Sequence, residues 1–291
     1  MISVVQLGQI DYAAGLRLQQ KLVALRKNGG IGDVLLLLEH SPVITLGRNA
    51  KAANILASPE LLAQRNVEIY ECDRGGDVTF HGPGQIVGYP IFDLRGDLRG
   101  DLSRDLQAAL AANPPEERKP KFLGAVDYVR RLEEVIMRAC ADFRIATKRI
   151  AGLTGVWTEA GGELPGASVS AQTAEHPERK IAAIGVHISR AVTSHGFALN
   201  VNTDLSYFDL VVPCGITSKP VTSMAKELGR QLSLQEVAHS IARNFGTVFQ
   251  SQILWLDSLK SLLSPTVGVP LKVPEPLRQM RHESGEDSFL A

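Results

Sequence analysis

The sequence predicts an α/β chain, a mixed sheet packed by helices. Short apolar runs of strand length, such as 34–38, 86–92, 180–188 and 193–201, alternate with segments of helical period. The alternation shows no clean βαβ repeat, which argues for a mixed rather than an all-parallel sheet. The 291 residues are 44% hydrophobic and 21% charged, which excludes disorder and the biased compositions of collagen and coiled coils. At about 150 residues per domain this length allows one or two domains with ample core.

Residues 3–7 alternate weakly and read as a first strand. Asp11 is placed to cap a helix through Leu16, Leu18, Leu22 and Leu25, ended by Gly29-Gly30. The unbroken apolar run 34–38 predicts a strand buried on both faces, followed by strands at 43–46 and 67–70. Residues 74–85, RGGDVTFHGPGQ, form a glycine-dense loop leading into 86–92. Residues 95–122 change character to RGDLRGDLSRDL and NPPEERKPK, a solvated, flexible insertion. From Leu123 a helix resumes with Val126, Val129, Leu132, Ile136, Ala139, Cys140 and Phe143 on one face. A strand at 155–158, a second small-residue loop at 161–178, and strands 180–188 and 193–201 joined by a polar turn at Ser189-Arg190 follow. A helix from Thr222 and a longer one from Ser233 to about Gln250 close the folded part, residues 1–250. Residues 251–291 form a C-terminal extension. Beyond Leu263 it is rich in proline and charge and predicts an extended to disordered tail.

Lys plus Arg equals Asp plus Glu at 31 each, so no polybasic field exists to neutralise a nucleic-acid backbone. No apolar stretch approaches the roughly 20 residues of a membrane span, and the first residues do not read as a signal peptide. Three widely spaced cysteines suggest neither a disulfide framework nor a zinc site. A soluble, cytoplasmic globular protein is expected.

The cysteines are the strongest latent nucleophiles. Cys140 shares the apolar face of its helix and reads as a core residue, and Cys72 ends a strand. Cys214, between Pro213 and Gly215 after an apolar run, is placed to point out of a turn. On the residues alone it remains open between a catalytic thiol and a turn residue. A thiol needs a base or cation beside it at neutral pH. The candidates are His40, His81, His187, His195 and Lys180. Lys180 opens the apolar strand KIAAIGVHI, where alternation puts it on the face of Ala182, Ile184 and Val186, partly desolvated. The glycine loop matches neither the P-loop nor the dinucleotide fingerprint and reads as built for close backbone approach to a ligand.

RGGDVTFHGPGQIVGYPIFDL (74–94) resembles the signature of the lipoyl(octanoyl) transferases, the lipoate–protein ligase B family. The resemblance continues through GLTGVWTE (152–159), RKIAAIGVHI (179–188), SHGFALNVNTDLSYFDLVVPCGI (194–216) and VTSM (221–224), and covers roughly residues 1–250. It implies the single-domain α/β fold of biotin and lipoate ligases. It also implies octanoyl transfer from octanoyl-acyl carrier protein to a lysine of lipoyl domains through a cysteine thioester, the first step of endogenous lipoate biosynthesis. The acceptors would be 2-oxoacid dehydrogenase E2 subunits and the glycine cleavage H protein. The family's thioester-forming cysteine matches Cys214 and its second catalytic residue matches Lys180, with the family's spacing of 34 residues kept. Its substrate-binding segments carry over as Arg74, Gly75, Gly76, Asp77, Val78, Thr79, Phe80 and His81, then Ala183, Ile184 and Gly185, then Gly196, Phe197 and Ala198. No metal and no cofactor are implied. The insertions at 95–122 and 161–178 are longer than the family pattern, and the tail has no counterpart in it. The rival readings are an ATP-dependent lipoate or biotin ligase, an amidotransferase between lipoyl domains, and a non-catalytic module binding acyl carrier or lipoyl domains.

Overall fold

The computed structural model describes residues 1–95, 123–159, 177–215 and 219–263. The proposed tail beyond 263 and most of both insertions lie outside them.

The run 34–38 lies within β2 (Asp33–His40), and its side chains are buried on both faces as expected. Strand β2 sits inside an eight-stranded mixed sheet. On one side of it stand β1 (Ile2–Ile10) and β11 (Ile253–Leu256). On the other stand β6 (Gln85–Ile91), β10 (Val192–Asn200), β9 (Lys180–Ser189), β8 (Leu153–Thr158) and β7 (Thr147–Ile150). The β1–β2 and β1–β11 pairs are parallel; the other pairs are antiparallel. A second, three-stranded sheet joins β3 (Val43–Leu46), β4 (Glu68–Glu71) and β5 (Val78–His81) in the order β4-β3-β5.

One face of the main sheet, through Leu35, Leu37, Ile86 and Leu199, packs on α3 (Ala125–Asp142) and α5 (Leu234–Phe249). These amphipathic helices contribute Leu132, Ile136, Cys140, Ile241 and Phe245 to the core. The opposite face, through Leu36, Leu38, Val87 and Tyr89, is covered by α1 (Tyr12–Lys27). A third cluster, Ile44, Val78, Phe80, Phe208 and Val211, fills the space under the small sheet. The remaining helices are short: α2 (Pro59–Gln64), α4 (Met224–Leu228) and α6 (Leu259–Leu263).

The structure departs from the sequence reading in several places. The glycine-dense segment holds a strand, β5, because Val78 and Phe80 alternate toward the third cluster while the glycines flank them. Strand β7, TKRI, is only half-buried and carries no apolar alternation to betray it. Strand β11 adds to the main sheet beside β1, so the sheet runs past residue 250. Val126 is 72% exposed: it lies in the first turn of α3, and burial along that helix begins at Tyr128. Asp11 precedes α1 but makes no capping bond; its carboxylate accepts from the Ser41 hydroxyl instead. Ser223, not Thr222, caps α4, while Ser233 caps α5 through the Glu236 amide.

Candidate active site

The cleft begins as rows of residues across β9, β10 and β6. Ala183 pairs with Ala198, which pairs with Val87; two residues on, Gly185 pairs with Gly196. These small residues leave a solvent-open hollow under the segment that joins β4 to β5. Arg74, Gly75, Gly76, Asp77, Thr79 and His81 line it, with Ala183, Ile184, Gly185, Gly196, Phe197 and Ala198, so most of the expected binding set comes together. Val78 and Phe80 do not join them, because they sit on the other face of β5.

The glycines are dictated by close approach as much as by room for a ligand. A Cβ at Gly185 would lie 2.7 Å from the Gly75 carbonyl, and one at Gly196 would run into that of Gly88. The Gly75 amide donates to the Val186 carbonyl (3.0 Å), stitching the segment over β9. Arg74, 8% exposed, clamps it to β3 by donating to the Thr45 hydroxyl (2.8 Å) and carbonyl (2.7 Å) through Nη2.

Two imidazoles near the floor are held neutral. His81 Nδ1 donates to Gln85 Oε1 (2.8 Å), and Gln85 Nε2 donates to the Phe80 carbonyl and to Asn200 Oδ1. Burial, then the neighbouring His40 and Arg74, pulls the His81 pKa down to about 3. His40 donates through Nδ1 to the Ile10 carbonyl (3.0 Å) and accepts the Tyr89 hydroxyl at Nε2 (2.6 Å); burial lowers it to about 4. Such weakly basic rings order the site rather than accept protons at neutral pH.

Toward the start of β9 lies a smaller hollow that shares Thr79, Ala183 and Ala198 with the cleft and is bordered further by Asn200, Lys180 and Pro213. Lys180 is 6% exposed, and its Nζ lies 5.1 Å from the centre of the Trp157 ring. Strict alternation would turn Lys180 to the helix-packed face with Ala182. A register shift against β8, between Val156 and Trp157, inserts one residue, so Ile181 and Ala182 both enter the core and Lys180 joins Ala183. Gly155 makes space for it: at φ 125°, its missing Cβ would stand 2.8 Å from Lys180 Cε and 2.6 Å from the Ala182 carbonyl.

Cys214 lies in a 3-10 turn, Pro213–Gly215. The Val212 amide donates to the Asn54 carbonyl (2.7 Å) and the Gly215 amide to that of Val212 (3.1 Å). Gly215 takes φ 67°, and a Cβ there would be 2.9 Å from Asp77 Oδ2. That carboxylate is fixed by the Asn54 side-chain amide (2.6 Å) and the Val78 and Lys51 amides. Asp77 thus anchors the turn that carries Cys214, and the turn and Lys180 border one hollow. Of the other thiols, Cys140 is buried in the core, where burial pushes it up to about 12, and Cys72 donates to the Leu46 carbonyl (3.3 Å) beside Tyr12, at the far end of the cleft from Lys180.

Tyr12, Val87, Tyr89 and His195 also line the cleft, and His187 and His40 do not. Tyr89 stands inside the motif-rich segment 74–94, a usable signal. Tyr12, at the start of α1, carries none. His195, weighed only as a base, is held by Asp73 Oδ1 at 2.7 Å.

The fold is that of lipoate ligases. A bipartite lipoate protein ligase from Thermoplasma acidophilum superposes with a TM-score of 0.59 at 14% identity, covering 89% of this chain and 87% of that one. A lipoate-protein ligase A bound with ATP gives 0.58 at 14%, covering 89% of each. The lipoyl protein ligase A/B catalytic domain matches residues 11–113 and 115–246, and the chain belongs to that family. Among its relatives, an octanoyltransferase of Koribacter versatilis is 56% identical over 97% of this chain and 98% of its own length. One of Acidobacterium capsulatum is 54% identical over 90% and 96%.

Proposed function

We propose that the chain is an octanoyltransferase that moves an octanoyl group from octanoyl-acyl carrier protein to a lysine of lipoyl domains through a thioester on Cys214. The carrying observation is the hollow bordered by Lys180 and Pro213, which shares Thr79, Ala183 and Ala198 with a cleft of small and apolar residues. The relatives' name supports the acyl group.

The Cys214 thiol passes its proton to Lys180 Nζ and attacks the donor carbonyl. The tetrahedral oxyanion needs preorganised donors, and backbone amides near Gly215 or in the His81-Gly82 region are the candidates. The bond to the phosphopantetheine sulfur breaks, that sulfur takes the proton from Lys180, and the octanoyl group stays on Cys214. An acceptor lysine amine then attacks, Lys180 takes its proton, and the Cys214 thiolate leaves to give an amide. Thioester to thioester is nearly balanced and thioester to amide is downhill, so no ATP enters. The acceptors proposed are 2-oxoacid dehydrogenase E2 lipoyl domains and the glycine cleavage H protein, and the reaction belongs to the cytoplasm. Among the described residues no helix is long and apolar enough to cross a membrane.

Reaction with octanoyl-acyl carrier protein and a lipoyl domain without ATP tests the reading. Octanoylation of the domain supports it. Octanoylation only from free acid plus ATP, unaffected by loss of Cys214, would assign the chain to the ligases.

A further inference from the structure

We propose that Tyr89 and His195 form the end wall of the acyl cleft and limit its occupant to about eight carbons; the proposal rests on the transfer reading above. The two hollows share Thr79, Ala183 and Ala198 and run along the strands, from Lys180 and Asn200 to Tyr89 and His195. From Asn200 to Gly196, which lies at the level of Tyr89, is four residues, about 13 Å at about 3.3 Å each. An extended eight-carbon chain spans roughly 9 Å at a C–C bond of about 1.5 Å, leaving the rest for the reacting carbonyl and sulfur.

The wall is rigid. The Tyr89 hydroxyl is fixed by His40, itself pinned to the Ile10 carbonyl. Behind His40 stands Gly15 of α1, where even a Cβ would come within 2.9 Å of the ring. His195 meets Tyr89 edge-on, with centroids 6.4 Å apart at 87°. Its amide donates to Gln19 Oε1 (2.7 Å) and its Nε2 pairs with Asp73 Oδ1. Ile91, the next residue on that face of β6, is already in the core. The Asp73 side chain is 56% exposed, so removing the His195 ring opens the cleft toward solvent. A longer acyl chain then has somewhere to go.

His195 has φ 55°, a conformation that glycine and asparagine adopt readily, so His195→Gly and His195→Asn remove the ring without adding backbone strain. Tyr89→Ala opens the same wall from β6. The assay offers mixed C6 to C14 acyl-acyl carrier proteins to the enzyme and reads the acyl groups on a lipoyl domain by intact mass. Displacement of a fluorescent fatty acid by C6 to C14 carboxylates gives an activity-independent series. Each further methylene that is buried in the opened end adds up to about fourfold in affinity. The C12-to-C8 ratio is expected to rise at least tenfold in the variants, in both series. An unchanged ratio in folded His195→Gly and Tyr89→Ala proteins would overturn the wall. If wild type transfers nothing from any thioester donor, the transfer reading fails, and the displacement series still decides the wall.

Discussion

Acid should loosen this protein well above the pH at which carboxylates protonate. His40 and His81 are both buried, with pKa values lowered from about 6.5 to about 4 and about 3. Because the folded values are depressed, the unfolded chain takes up protons first as pH falls. Their contribution is lost progressively as pH falls from about 6.5 to about 4 for His40 and to about 3 for His81. Linkage over pH 7.5 to 5.0 gives about 2 kcal/mol for each ring, from about 1.4 kcal/mol per pKa unit. Glu178, lowered to about 2 by its bonds to Lys219 and Lys148, titrates below this window. Urea unfolding from pH 7.5 to 5.0 should therefore show a loss of roughly 4 kcal/mol. His40→Gln, which retains a donor for Ile10, should be less stable at pH 7.5 but lose only about half as much on acidification. A wild-type stability that is flat across this range, or an unchanged slope in His40→Gln, would refute the neutral, buried assignment.

Cys214→Ser should abolish transfer, because a hydroxyl beside Lys180 stays protonated, whereas folded Cys72→Ala and Cys140→Ala proteins should retain it. Lys180→Ala should slow alkylation of Cys214 at pH 7 by at least about tenfold; equal rates in wild type and variant would dismiss the dyad. Gly155→Ala, at φ 125° and against Lys180 Cε, should cost about 1–3 kcal/mol of stability and lower kcat more than KM rises. Gly152→Ala is the control: it has φ 78° but open space around its Cβ, so it should carry the backbone cost alone.

Much of this arrangement was legible in the chain. The 34–38 run and the two amphipathic helices declare themselves because burial selects their spacing directly. Within residues 74–85, glycines that permit close approach also mask the alternation of Val78 and Phe80, so β5 reads as loop. The inserted residue opposite β8 reverses the face of Lys180, and no residue type marks it, since register is a property of two strands. β7 and β11 owe their pairing to neighbours supplied from elsewhere in the chain. Lys180 and the Cys214 segment were legible through motif resemblance. The anchors behind them, Asp77 beneath the turn and Gly155 beneath the lysine, emerge only when distant segments meet.

The thioester is tested most directly by intact mass of the full chain after brief exposure to octanoyl-acyl carrier protein, with no ATP and no acceptor. One octanoyl adduct is expected, mapping by peptide digestion to Cys214, released by hydroxylamine, and discharged as an amide when a lipoyl domain is added. An enzyme that octanoylates the domain yet never carries the adduct, or carries it on Cys72, would contradict the Cys214 mechanism.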